Sequence, residues 1–119
     1  MGRGLSELQR FILEKAATME YVCYADICME YYGWKPRHSV HRLPDGTLAN
    51  AGRQLFSRKE IGEREYSRVM ATISRSCKRL AFNRDLVTWV VGTYRHFSGV
   101  KITESGRIAV ESFSRRIGE

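Results

Sequence analysis

The chain has 119 residues, 43% of them hydrophobic, and carries 20 Lys and Arg against 13 Asp and Glu for a net charge of +7. That length suits one domain with one substantial core, and the apolar content argues against a disordered chain. No apolar run approaches the roughly 18 residues a membrane span needs, and no glycine-rich phosphate loop appears, so the residues offer no argument for an enzyme or a bound cofactor.

The stretch "LSELQRFILEKAAT" opens with Ser6 followed three residues later by Gln9, the spacing of a capping box. Leu5, Leu8, Phe11, Ile12 and Ala16 continue at helical spacing and predict a helix over 6–18. Residues Gly2 to Thr18 therefore read as an amphipathic helix rather than a targeting segment. "YVCY", Tyr21 to Tyr24, is aromatic and β-branched and predicts a short strand. Ile27, Cys28, Tyr31 and Tyr32 then mark a second helix over 25–32, with Gly33 as its C-cap.

Residues 34–58 contain Pro36, Pro44 and the turn signal "PDG". A structureless loop of that length is uncommon inside a small domain. The expectation is a short helix around Leu48–Phe56 or a functional insertion. Ser57 with Glu60 offers another cap, and Gly62 weakens the helix soon after, so the next helix starts between Ser57 and Tyr66 and runs to about Phe82. "LVTWVV" and "VKIT" predict a β-hairpin whose tip, Gly92 to Gly99, carries Tyr94, Arg95, His96 and Phe97. A last helix follows Thr103, with Ile108, Ala109 and Phe113 on one face.

Charge is unevenly placed. Residues 53–84 hold nine basic and three acidic side chains, whereas residues 1–33 hold three basic and five acidic. At 100° per residue, Tyr66, Val69, Met70, Ile73, Cys77 and Leu80 share one face of the long helix, and Arg64, Arg68, Thr72, Arg75 and Arg79 share the opposite face. One basic element on a near-neutral body points to a polyanion, most often nucleic acid. A membrane surface fits less well, because the apolar face holds Val69, Ile73 and Cys77 without tryptophan and is needed for the core.

Three local strings give the order of elements a further meaning. "LSELQRFIL", "ISRSCKRLAFNRDLV" (Ile73 to Val87) and "VKITESGRIAV" (Val100 to Val110) resemble a first helix, the end of a recognition helix and the threonine-x-x-glycine-arginine string after the wing. Together they resemble a microbial winged helix-turn-helix domain over about 5–33 and 60–113. The departures are Asp85, where glycine is usual, and the 34–58 insert between the second helix and the recognition helix.

The resemblance implies an α+β fold, mostly α. It would be one domain over 1–119, with a three-helix core, a β-hairpin wing and a C-terminal helix. It also implies double-stranded DNA as partner, with the helix at about 64–82 in the major groove and the wing tip 92–99 on a backbone or minor groove. Arg64, Arg68, Thr72 and Arg75 would then face the groove, Lys78 and Arg79 would approach phosphate, and Arg95 with His96 would sit at the wing tip. A transcriptional regulator is the leading class. A replication, partition or mobile-element accessory protein and a winged helix protein-interaction module are the others. A homodimer through the N- and C-terminal helices accompanies the first.

Cys23-x4-Cys28 and His38-x2-His41 raise zinc as a competing reading. Cys23, Cys28 and Cys77 are an odd number in apolar surroundings, however, and buried free thiols in a reducing cytoplasm explain them better than a metal or a disulfide does.

Overall fold

Ser6 Oγ accepts the Gln9 N–H at 3.1 Å, and Gln9 Oε1 accepts the Ser6 N–H at 3.0 Å. The pair satisfies donors that a helix start leaves open. Helix α1 follows over Glu7–Met19 and buries Leu8, Ile12, Leu13 and Ala16. The computed structural model of the chain describes residues 4–49, 55–92 and 97–118, with side chains as far as Phe113. At Glu20 the backbone turns through φ +68°, and the fully buried strand β1 begins, Tyr21–Cys23. Helix α2 spans Tyr24–Glu30. Its N-cap is Cys23, whose N–H donates to Asp26 Oδ2 at 3.1 Å. Gly33 takes φ +72°, and the Trp34 N–H returns to the Cys28 carbonyl at 2.9 Å.

The segment after α2 departs from the helix offered as one expectation for it. Strands β2, His41–Arg42, and β3, Leu48–Ala49, pair antiparallel around the PDG turn, so Leu48 and Ala49 are extended rather than helical. Asp45 Oδ1 holds the turn by accepting from the Thr47 N–H and hydroxyl. Residues 50–54, within the span offered as a helix, lie outside the described residues. The segment also feeds the core. Leu48, Leu55 and Phe56 are buried. Trp34 stacks on Tyr66 with ring centroids 5.3 Å apart and meets Phe56 edge-on at the same distance.

Arg42 ties this hairpin to α2. Its guanidinium lies 2.6 Å from Asp26 Oδ1 and 2.6 Å from the Gly46 carbonyl. Asp26 is only 2% exposed, a position a carboxylate tolerates when it is paired and hydrogen-bonded. Nothing in the sequence spacing of Asp26 and Arg42 joins them; the folded hairpin does.

Helix α3, Arg58–Ile61, starts where Ser57 Oγ accepts the Glu60 N–H at 3.2 Å. Gly62, at φ +97°, ends it and sets the start of α4, Glu63–Lys78. The helix continues as a π-helical turn over Arg79–Asn83. Asp85, at the position where the resemblance puts glycine, takes φ +56°. That left-handed conformation suits glycine best and aspartate better than most other side chains.

Strands β4, Val87–Val90, and β5, Gly99–Ile102, form the hairpin, in register from Val87 opposite Ile102 to Val90 opposite Gly99. The central strand is β5, since β1 pairs along its other edge from Tyr21 opposite Lys101 to Cys23 opposite Gly99. Helix α5, Glu104–Gly118, begins with Thr103 Oγ1 accepting the Gly106 N–H at 3.0 Å and donating to the Asp85 carbonyl at 2.9 Å. Val110 and Phe113 pack inward, whereas Ile108, expected on that face, is 58% exposed.

The architecture is α+β and mostly helical. Ile12 and Leu13 from α1, Ile27 from α2, Val69 and Ile73 from α4, and Val22, Val87 and Val100 from the sheet meet in one core. Among the described residues no helix is long and apolar enough to cross a membrane.

Candidate nucleic-acid interface

The site is built on α4, and its orientation follows from which residues the core takes. Tyr66, Val69, Ile73 and Cys77 are buried, and Leu80 joins them from the π turn. Their spacing leaves the opposite side of the helix to solvent. Arg64, Arg68 and Arg75 are exposed there, and Arg79 opens the π turn, also exposed. Thr72, placed by spacing among the outward residues, is half-buried and partly occupied with the helix itself. Its hydroxyl donates to the Arg68 carbonyl at 2.8 Å.

The arginines are not equivalent. Arg68 is held by Glu65 through two bonds, Nε to Oε1 at 3.0 Å and Nη2 to Oε2 at 2.6 Å. The hydrogen bond from Arg68 lowers the Glu65 carboxyl below its ordinary pKa, and Glu65 raises the guanidinium. Both side chains stay charged, and Glu65 holds the guanidinium in place. Arg75 Nη2 reaches Thr72 Oγ1 at 3.5 Å. Arg64 and Arg79 make no ion pair among the described residues.

Lys78 points elsewhere. Its ammonium lies 4.9 Å from the centre of the Trp89 ring on β4, a cation–π contact that fixes it beside the sheet. Arg95 and His96, expected at the wing tip, lie outside the described residues.

Two features of this surface were missed in the sequence. Arg58, on α3, places its guanidinium 4.4 Å over the Tyr66 ring and 3.3 Å from Glu63 Oε1. The stack of Trp34 on Tyr66 brings the start of the 34–58 segment to the same end of α4, and the Arg37 N–H bonds the Leu55 carbonyl at 2.7 Å. Lys35 and Arg37 are exposed on that strap. Aromatic residues at 34, 56 and 66 were the available signal, but nothing in their spacing shows that they converge.

Chemically, the ridge presents fixed cations and planar donor forks. These can pair with phosphate, or with the O6 and N7 acceptors of guanine. Among the described residues there is no group of three or more His, Cys, Asp or Glu placed to hold a metal ion. Cys23 and Cys28 are buried, and His38 and His41 are exposed. No protein-family model, curated protein or solved structure matches the chain.

Proposed function

We propose that the chain binds double-stranded DNA as a winged helix-turn-helix domain, with α4 in the major groove, and acts as a transcriptional regulator. The observation that carries this reading is the line Arg64, Arg68, Arg75 and Arg79 on the side of α4 opposite its buried stripe. A single helix fits the roughly 12 Å width of the major groove, and arginine supplies the bidentate fork that a guanine edge accepts. The element order supports the reading too. Helix α1, strand β1 and helix α2 come first, the β2–β3 hairpin and the short α3 lead into α4, and a hairpin with a closing helix follows it. A regulator of this kind pairs two copies to read two half-sites, and the outer faces of α1 and α5 are the surfaces proposed for that pairing.

The test is binding to random-sequence duplex at low salt, for the parent and for a variant carrying Arg68→Ala and Arg75→Ala. The two positions are two turns apart on the exposed face, so stability should change by no more than about 0.5 kcal/mol per site. Loss of a base contact should cost about 1–3 kcal/mol and relax preference at one base pair. Loss of a phosphate contact should weaken all duplexes alike and lower the salt slope by about one. Parent-like duplex affinity in the double variant would exclude α4 as the recognition helix.

A further inference from the structure

The arginine line on α4 ends in an aromatic residue. Phe82 lies seven residues beyond Arg75, in the turn that continues α4. It is 68% exposed, the most exposed of the large hydrophobic side chains among the described residues. It belongs to the π-helical turn Arg79–Asn83, a local widening of a helix that is frequent at functional sites.

Phe82 is exposed but not loosely placed. Its ring meets Trp89 edge-to-face with centroids 6.2 Å apart. Trp89 is itself fixed: Nε1 donates to the Tyr24 hydroxyl at 2.9 Å, and Lys78 sits over its ring. Tyr24 is buried in the core. The chain thus holds an outward-facing ring rigidly on a buttress that runs back into the core.

The charges around the ring favour a polyanion. Residues 78–85 carry Lys78, Arg79 and Arg84 against Asp85 alone. Neither Lys78 nor Arg79 is in an ion pair among the described residues. An apolar partner surface would cover the ring but would have to desolvate these cations. A nucleic acid strand satisfies both features, because each nucleotide offers a flat ring to stack and a phosphate to neutralise.

We propose that Phe82, braced by Trp89 and flanked by Lys78 and Arg79, is a stacking platform for an unpaired nucleobase, which gives the chain a binding site for single-stranded nucleic acid. The site adjoins the α4 ridge and shares Arg79 with it, but its stacking ring, Phe82, has no part in the proposed duplex reading.

The experiment measures binding of labelled oligothymidylate, oligouridylate and an intact duplex to the full chain. The parent should bind the single strands, and comparing the thymidine and uridine arms assigns the site to DNA, RNA or both. Phe82→Ala should weaken single-strand binding roughly 5- to 150-fold, the range that loss of one base–aromatic stack spans. Phe82→Leu should weaken it similarly, because it restores apolar bulk without a π-face. Phe82→Tyr should keep affinity within about twofold. Duplex affinity should not respond to any of the three. Phe82 is exposed, so these variants are expected to fold, and their circular dichroism and thermal midpoints check that.

The proposal is overturned if the parent does not bind the oligonucleotides, if Phe82→Leu binds like the parent, or if duplex binding falls as far as single-strand binding. It is also overturned if Phe82→Ala lowers the mass seen by light scattering while oligonucleotide affinity is unchanged, which would assign the ring to a second copy of the chain. The Arg68→Ala, Arg75→Ala variant separates the two functions. Single-strand binding that depends on Phe82 stands even where that variant shows α4 not to read duplex.

Discussion

Three residues report the state of the core through their thiols. Burial pushes Cys77 from an ordinary 9.0 to about 12. Cys28 rises to about 12 through burial and the neighbouring Cys23. Cys23 rises as far, through burial and then the carboxylate of Asp26. The unfolded chain therefore loses these protons first as pH rises. The stability they contribute is whole below about pH 9 and drains away as pH climbs from there toward 12, by up to roughly 1.4 kcal/mol per pH unit for each thiol. Denaturant unfolding at pH 7 and pH 10 should show a clearly lower midpoint at the higher pH, and Cys77→Ala should reduce the drop. At neutral pH a thiol reagent should label Cys28 and Cys77 only as fast as the fold opens. Prompt labelling, or unchanged stability between the two pH values, would mean that these residues do not face the core.

Among the elements, α5 depends on one close approach. Gly106 is buried, and a Cβ there would overlap the Leu86 carbonyl oxygen and lie 2.8 Å from Ile102 Cγ1. Glycine to alanine in a helix ordinarily gains up to about 1 kcal/mol. Here the obstacle is backbone that cannot step aside, and overpacking of that kind costs about 1–3 kcal/mol. Gly106→Ala should therefore lower the thermal midpoint, and a raised midpoint would show that α5 does not seat against the start of β4. The same contact explains the string "TESGR" in structural terms. Thr103 caps α5, Gly106 admits the carbonyl, and Arg107 reaches the Ala17 carbonyl and Glu20 at 3.5 Å. Local signals of this sort were legible in the sequence. Ser6 with Gln9, Ser57 with Glu60, and the apolar stripe of α4 each act within a few residues, and each set its element. The helix offered near Leu48–Phe56 failed where Leu48 and Ala49 pair with His41 and Arg42, an arrangement fixed by cross-strand contact rather than by spacing.

At the scale of the molecule, the 34–58 segment joins the core to the proposed binding surface. Treated as an insertion, it should be removable. The structure gives the opposite expectation, since Leu48 is buried and Arg42 neutralises the buried Asp26 carboxylate. Deleting residues 37–50 should leave Asp26 buried without its partner, and loss of one partner of a hydrogen-bonded charge costs more than loss of an exposed pair. The thermal midpoint should fall by several degrees or folding should fail, and an unchanged midpoint would return the segment to the status of an appendage. The ridge on α4 was legible because helical period alone sorts Arg64, Arg68 and Arg75 from Val69 and Ile73. The clamp of Glu65 on Arg68, the Trp34–Tyr66 stack and the Phe82–Trp89 pair were not, since side-chain geometry and tertiary folding decide them.

The pairing of β1 with β5 has a consequence for how the chain comes into being. Tyr21 lies opposite Lys101 and Cys23 opposite Gly99, so about eighty residues separate partners that share one sheet. During synthesis the first two helices emerge long before the strand that completes their sheet, and β1 waits with its backbone donors and acceptors open. Closing so long a loop comes late in folding and slows it. The three-stranded sheet is therefore completed only by the C-terminal third, and a ribosome stalled before Gly99 would hold a chain whose segments α1 to α4 are made and whose three-stranded sheet is unformed.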